Sequence, residues 1–255
     1  MSPRVLIFSN QKGGVGKTTL TREIGVTLAE SGKRMLLVDC DPQGNLTKSL
    51  VDGAEEGGLY EALCGAGEIR ITELDERLSL LAGDFRLSLL EKSLIGEVDA
   101  YSRLRELLAD PRLGSYDLVF LDTPPSLGVL TVNALAAAND LVIPMNPSLY
   151  SMQGTNDLLR TVSKVRSSLN PALNLLGVIV NAFDGVPVIS RQIRSEIEAS
   201  FGDKVFATVL SKSIRLEEAI ASRRGVIHQS GARRVADEVR ALAAELLERL
   251  EGGSR

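Results

Sequence analysis

The chain has 255 residues, 44% hydrophobic and 24% charged, with a formal net charge of −4. That supports one sizeable core, or at most two small domains, and no stretch approaches the ~18–20 consecutive apolar residues that a membrane-spanning helix needs. The net charge excludes a uniformly basic nucleic-acid binder; with no signal-peptide pattern at the start, and with Cys40 and Cys64 in neither a metal-ligand nor a disulfide spacing, the chain reads as cytoplasmic.

Short apolar runs alternate with longer amphipathic segments. Residues 5–9 read as a first strand, and 18–30 as a helix with Leu20, Ile24 and Leu28 at helical spacing and Ser31-Gly32 as its stop. Residues 35–39 read as a second buried strand, and further strands are predicted at 78–81, 117–121, 140–145, 175–180 and 205–209. Helical patterns occupy 102–109, 127–138, 151–168, 190–201 and 232–251. Residues 51–75 are the least regular and are predicted to be a surface excursion, and the tail 252–255 to fray. Continuous apolar strands separated by helices predict an α/β, doubly wound, mostly parallel sheet with helices on both faces. No linker or repeat divides the chain, so residues 1–255 are expected to form one domain.

The first strand runs into Gln11-Lys12-Gly13-Gly14-Val15-Gly16-Lys17-Thr18-Thr19. A phosphate-binding loop has the pattern G-x-x-x-x-G-K-[ST], and here Gln11 replaces the first glycine. The remainder fits: glycines let backbone N–H groups close on phosphates, Lys17 supplies a cation and Thr18 a hydroxyl for Mg²⁺. Lys12 is a second lysine that this scheme does not require. It suggests a site completed by a second copy of the chain. Asp39 and Asp41 end the second strand, and Asp122 ends a later one in Leu121-Asp122-Thr123-Pro124-Pro125. In an open α/β sheet all three motifs converge at the carboxyl edge, where Asp122 fits an acid that holds Mg²⁺ directly or through water.

Residues 12–19, 39–45 and 122–125, with Pro147-Ser148-Leu149-Tyr150, Gly154, residues 177–181 and residues 214–219, make the chain resemble the ParA/Soj-type deviant-Walker P-loop ATPases, relatives of MinD. The resemblance covers nearly the whole chain. It implies a P-loop NTPase fold, ATP and Mg²⁺ as ligands, and a sandwich homodimer formed on ATP binding. It implies that Lys12 reaches the phosphates of the partner subunit and that Asp41 helps to orient the attacking water, so that Lys12, Lys17 and Asp41 carry catalysis. Nucleotide contacts are expected from Lys12, Gly13, Gly14, Val15, Gly16, Lys17, Thr18 and Thr19, and metal contacts from Thr18 and Asp122. Adenine contacts are expected from Asn181 and residues 210–213, where this chain has Leu210-Ser211-Lys212 instead of the family's common Ile-Pro-Arg. Gln153 stands where the family often has Glu.

The same resemblance implies non-specific binding of double-stranded DNA. Residues 191–234 contain nine Lys/Arg and five Asp/Glu, a net +4 that leaves −8 on the rest of the chain. Arg191, Arg194, Arg215, Arg223 and Arg224 are the candidates, with Lys212, Arg233 and Arg234 also in the region; an ordinary solvated basic face is the alternative. Val186 stands where some relatives carry a DNA-binding arginine. With little aromatic content nearby, base stacking is not expected. No helix-turn-helix extension is expected ahead of the loop. Val235, Val239, Leu242, Leu246 and Leu250 form one stripe of the last helix, and residues 233–255 balance five basic against five acidic residues, which predicts core packing over membrane binding. His228 has no partner pattern. The expected function is a slow, nucleoid-associated partitioning ATPase stimulated by a ParB-type centromere-binding protein. The alternatives are a positioning ATPase for a protein cargo and a nucleotide-gated scaffold with negligible hydrolysis.

Overall fold

The computed structural model describes residues 2–53, 58–65, 69–148, 151–182, 184 and 188–252, without the side chains of 151–153 and 189. The elements, in chain order, are β1 (Arg4–Phe8), α1 (Lys17–Glu30), β2 (Met35–Asp39), α2 (Asn45–Leu50), α3 (Leu59–Cys64), β3 (Thr72–Asp75), β4 (Leu78–Leu81), α4 (Leu87–Ser93), α5 (Arg103–Leu108), β5 (Leu118–Asp122), α6 (Val129–Ala137), β6 (Asp140–Met145), α7 (Ser151–Ser168), β7 (Asn174–Val180), α8 (Val188–Phe201), α9 (Ile214–Ala221) and α10 (Arg233–Gly252).

The strands line up as β3-β4-β2-β5-β1-β6-β7. Every neighbouring pair is parallel except β3–β4, which is antiparallel at the edge. Side chains alternate between two apolar layers, as the two-residue period of a strand requires. Val5, Ile7, Leu36, Val38, Val119 and Leu121 face one layer. Leu6, Phe8, Met35, Leu37 and Phe120 face the other, together with the apolar stripe of α10. Phe8 and Phe120 meet edge to face, their centroids 5.1 Å apart. The predicted sheet and its double winding are present, and β2, β4 and β6 have the expected bounds. The stop after α1 is a Schellman turn, with Gly32 at φ 100° and Lys33 N donating to Leu28 O at 3.0 Å.

Two expectations change. Residues 205–209 form a single bridge, Val178 to Val205, rather than a strand. Side chains of α10 take the backbone groups a ladder would have used. Glu245 accepts from Ala207 N at 2.8 Å and from Thr208 N at 3.0 Å. Arg249 donates to the carbonyls of Asp203, Lys204 and Val205 at 3.1, 3.2 and 2.7 Å. The stretch 51–75 is also not all excursion, because Leu59 and Leu63 are buried and β3 closes one edge of the sheet. Elements of four to seven residues such as α2, α3, α4 and β3 are too short to show a period. The α10 stripe, Val235 to Leu250, is buried in the core as predicted. No helix among the described residues is long and apolar enough to cross a membrane. Residues 57, 67, 149, 150, 186 and 253–255, and the Gln153 side chain, lie outside the described part, and the expectations made for them lie outside it too.

Burial works against the Glu245 carboxylate, but the Thr208 and Ala207 amides and Arg249 outweigh it and hold its pKa below the ordinary glutamate value. A depressed carboxylate stabilises the fold above the unfolded-state pKa, and that contribution disappears as pH falls through the folded-state value. Glu245→Gln is therefore expected to cost about 1 kcal/mol of unfolding free energy at neutral pH. The deficit should shrink below about pH 4, which denaturant titrations at the two conditions measure.

Candidate functional site

The carboxyl ends of three adjacent strands build the site. Register pairs Phe8 of β1 and Asp39 of β2 with Asp122 of β5, so the glycine loop and both acids leave the sheet side by side. The loop turns through Gly14 at φ 71° and Gly16 at φ 90°, left-handed conformations that glycine adopts without strain. Gly16 is the N-cap of α1; no side chain caps it, and the first turn has no acidic residue. The first N–H groups of α1 and the positive end of its dipole are thereby left for an anion.

The loop is braced from the neighbouring strands. Asn181, just past β7, donates from Nδ2 to Val15 O at 2.7 Å. A Cβ at Gly16 would start 2.0 Å from that same nitrogen. Asn10 accepts from Lys12 N at 3.1 Å and donates to Pro144 O at 2.8 Å, and Asn146 donates to Gly14 O at 3.3 Å. Gly154 of α7 packs against Asn10 and the Lys12 backbone. Lys17 is buried, with Nζ donating to Lys12 O at 3.3 Å. Burial lowers its pKa, and Asp122 and Asp41 oppose that. Lys12, half-buried, donates from Nζ to Ser148 Oγ within its own chain.

Thr18 Oγ1 donates to Asp122 Oδ2 at 2.7 Å. The other oxygen of Asp122, Oδ1, is buried without a partner. Burial, and then the neighbouring Asp39, push the Asp122 pKa well up, against Thr18 and Lys17. Asp39 is an anchor: Oδ2 accepts the Thr47 amide at 2.8 Å and the Thr47 hydroxyl at 2.7 Å, and Oδ1 accepts the Asp41 amide at 3.2 Å. Its own pKa is pushed up to about 7, chiefly by burial. Asp41 Oδ1 accepts the Gln43 amide at 2.9 Å, which fixes the turn into α2.

Beside these groups lies a cavity of about 470 Å³ lined by Gly13, Lys17, Thr18, Asp41, Asn45 and Pro125 from the predicted motifs and by Lys48, Ser49 and Ile220 beyond them. A larger cavity, about 950 Å³, lies at the opposite, amino ends of β1, β6 and β7. There Arg4 and Asn174 bond Asp140, and Arg249 bonds Glu245, so it offers no comparable anion site. The donor set at Thr18 and Asp122 fits a magnesium ion, since a hydroxyl and a carboxylate with one unpartnered oxygen stand together beside further negative charge. No cluster of three or more His, Cys, Asp or Glu among the described residues could cage a metal. That suits Mg²⁺, which takes one or two protein oxygens and completes its shell with phosphate and water.

A family model described as an AAA domain matches residues 3–175. The chromosome-partitioning ATPase Soj of Thermus thermophilus is 40% identical over 252 residues, 97% of this chain and 97% of that protein. This chain belongs to the ParA/Soj family of partitioning ATPases. The chromosome partitioning protein ParA of Caulobacter vibrioides is 39% identical, with 85% of this chain and 83% of that protein covered. A crystal structure described as cobyrinic acid a,c-diamide synthase from Mycobacterium smegmatis, with bound ADP and magnesium, is 34% identical at a TM-score of 0.84, covering 98% of this chain and 96% of that one.

In this ParA/Soj family member the basic candidates sit on two elements. Arg191 and Arg194 lie on α8, Arg215 in the first turn of α9, and Arg223 and Arg224 just past its end. Arg194 pairs with Glu198, Arg215 with Glu218 and Arg223 with Asp52. Arg191 and Arg224 are exposed, with no such ion pair among the described residues. Residues 210–213 run beside Asn181, with Leu210 N donating to Val180 O at 3.0 Å. Ser211 is anchored to α10 through Glu238, at 2.8 Å from both its amide and its hydroxyl. His228, which had no predicted partner, pairs with Glu30 at 2.7 Å. Sequence reasoning missed Asn10, Asn146 and the cavity residues Lys48, Ser49 and Ile220, because none belongs to a spaced motif.

The two left-handed glycines should respond differently to substitution. Gly14→Ala meets open space and is expected to cost only the left-handed strain, about 1–2 kcal/mol. Gly16→Ala must also push Asn181 off Val15, so denaturant melts of the two variants should rank it clearly the more damaging.

Proposed function

We propose that this protein is a Mg²⁺-dependent ATPase that partitions DNA as an ATP-driven homodimer, one domain over residues 1–255. The observation that carries the reading is the Thr18–Asp122 contact at 2.7 Å beside a glycine turn that caps α1. The ADP and magnesium bound in the Mycobacterium smegmatis structure support the choice of ligands.

Backbone N–H groups from Gly13, Gly14, Val15, Gly16, Thr18 and Thr19 hold the phosphates. Lys17 exchanges the Lys12 carbonyl for phosphate oxygens, and Asp122 and Asp41 favour its charged form against burial. Thr18 and Asp122 would hold Mg²⁺, which would supply positive charge to offset the charge that develops on the phosphate oxygens. Asp41 orients the attacking water, and Asn181 with residues 210–213 borders the base. Lys12 leaves Ser148 and reaches the phosphates of the partner subunit, which ties hydrolysis to dimerisation. Phosphoryl transfer needs positioning and positive charge more than a strong base, so these groups suffice for slow turnover.

The dimer binds double-stranded DNA without sequence preference through Arg191, Arg194, Arg215, Arg223 and Arg224, by neutralising phosphates. A ParB-type protein stimulates hydrolysis, and the protein works in the cytoplasm on the nucleoid.

Lys17→Ala is expected to cut the ATPase rate by at least ~100-fold. Lys12→Ala should retain nucleotide binding but lose ATP-driven dimerisation in light scattering. A variant that dimerises and hydrolyses like the parent would remove the trans-lysine role. For DNA, Arg191→Glu or Arg224→Glu should lower affinity for all sequences alike and reduce the slope of log K against log salt by about one per site. Binding that is independent of ATP would overturn the switch.

A further inference from the structure

Two walls of the nucleotide cavity lie outside the glycine loop. Asn45, Lys48 and Ser49 of α2 form one, and Ile220 of α9 contributes to the other. A single ion pair in the middle of α1 ties both walls to the helix that follows the loop. Arg22 donates from Nε to Ser49 O at 3.3 Å and from Nη2 to Ala219 O at 3.1 Å. Its Nη1 bonds Glu23, and both side chains are 0% exposed. Glu23 Oε2 accepts the Val226 amide at 2.7 Å, so the segment after α9 is fastened as well.

The chemistry of this junction is specific. Ser49 and Ala219 lie in the last turns of α2 and α9, where helix carbonyls present partial negative charge. The planar guanidinium fork therefore grips two helix ends at once, which neither lysine nor an apolar residue can do. Adjacent residues on a helix do not share a face, and a buried pair is weak evidence for stability, since well-packed apolar residues often hold helices together as firmly. What an apolar pair would lack is the fixed register between α2, α1 and α9. Two more contacts hold that register. A Cβ at Gly225 would start 2.7 Å from Val26 Cγ1 of α1. Arg223, left-handed at φ 54° in the turn that closes α9, bonds Asp52 just beyond α2 at 2.7 Å.

The α2 wall follows directly from Asp41, and the α9 wall is flanked by Arg215 and by Arg223 and Arg224. We propose that Arg22 and Glu23 are positioning residues that lock α2 and α9 to the glycine-loop helix, so that the ordering of the loop and α2 by nucleotide is carried to the basic segment around α9. This rests on the nucleotide-site reading above. The pair touches no phosphate; it acts through the two helix ends it holds.

Arg22→Met/Glu23→Gln removes both charges and both carbonyl contacts, while the introduced amide still offers an oxygen to the Val226 N–H. Arg22→Lys keeps the charge but cannot grip both helix ends, and it serves should the double variant not fold. Hydrogen exchange on the full chain, with and without a slowly hydrolysed ATP analogue and Mg²⁺, reads the coupling. In the parent protein the analogue should slow the amides of residues 219–226 by at least ~5-fold. Both variants should lose that response at 219–226, while protection of the β1, β2 and β5 amides and of the glycine loop persists. A response retained in the variants, or absent from the parent while the glycine loop is protected, overturns the coupling and leaves the nucleotide site standing. Protection of neither region overturns the nucleotide-site reading and the coupling with it.

Discussion

Buried negative charge at the carboxyl edge of the sheet is the constraint on which the rest of the site depends. Asp39 and Asp122 end adjacent strands in register, both fully buried, and Asp41 follows two residues later. Carboxylates taken out of water cost several kcal/mol each unless they are paired or hydrogen-bonded. Asp39 offsets part of that cost with the Thr47 amide and hydroxyl and the Asp41 amide, and in doing so sets the start of α2. Asp122 has only the Thr18 hydroxyl and keeps one oxygen unpartnered. The same crowding opposes the drop in the Lys17 pKa that burial alone would impose. One arrangement of charge thus accounts for the anchoring acid, the acid available to a cation and the buried lysine.

The frame around this edge works by close approach. Gly16 has no room for a side chain because Asn181 occupies the space, and Gly154 lets α7 reach the loop from another direction. At the far side of the sheet, Glu245 and Arg249 of α10 replace a strand ladder by holding residues 203–208 through side chains. That leaves residues 210–213 running past Asn181 and fixed by Glu238. The cavity itself is lined mostly by the first half of the chain, with Ile220 of α9 closing it from the second.

Much of this is legible in the residues. The central strands are continuous apolar runs between their ends, because burial on both faces leaves polar residues only at the first or last position. The loop motif is legible because Gly14, Gly16, Lys17 and Thr18 serve local geometry and charge, both readable over a few residues. Several short elements were not legible: six residues in α2 give under two helical turns, too few for a period, although α5 at the same length and the four residues of β4 were read from their apolar runs. The basic segment was legible as charge and not as a surface, since three of its five candidate arginines bond acids of their own chain.

By itself the sequence determined the parallel sheet, its double winding and the phosphate loop with its lysines and acids, because these follow from periodicity and from residue types needed within a short span. Only the tertiary structure decided that Asp39 anchors while Asp122 is left available, that Asn181 braces the loop, and that Lys12 rests on Ser148. It alone brought Arg22 to two helix ends, Ser49 and Ala219, both well beyond α1 in the sequence and far from each other. The physical reason is that a hydrogen bond is fixed by distance and direction in space, and residues 27 and 197 positions away from Arg22 carry no local mark of that meeting.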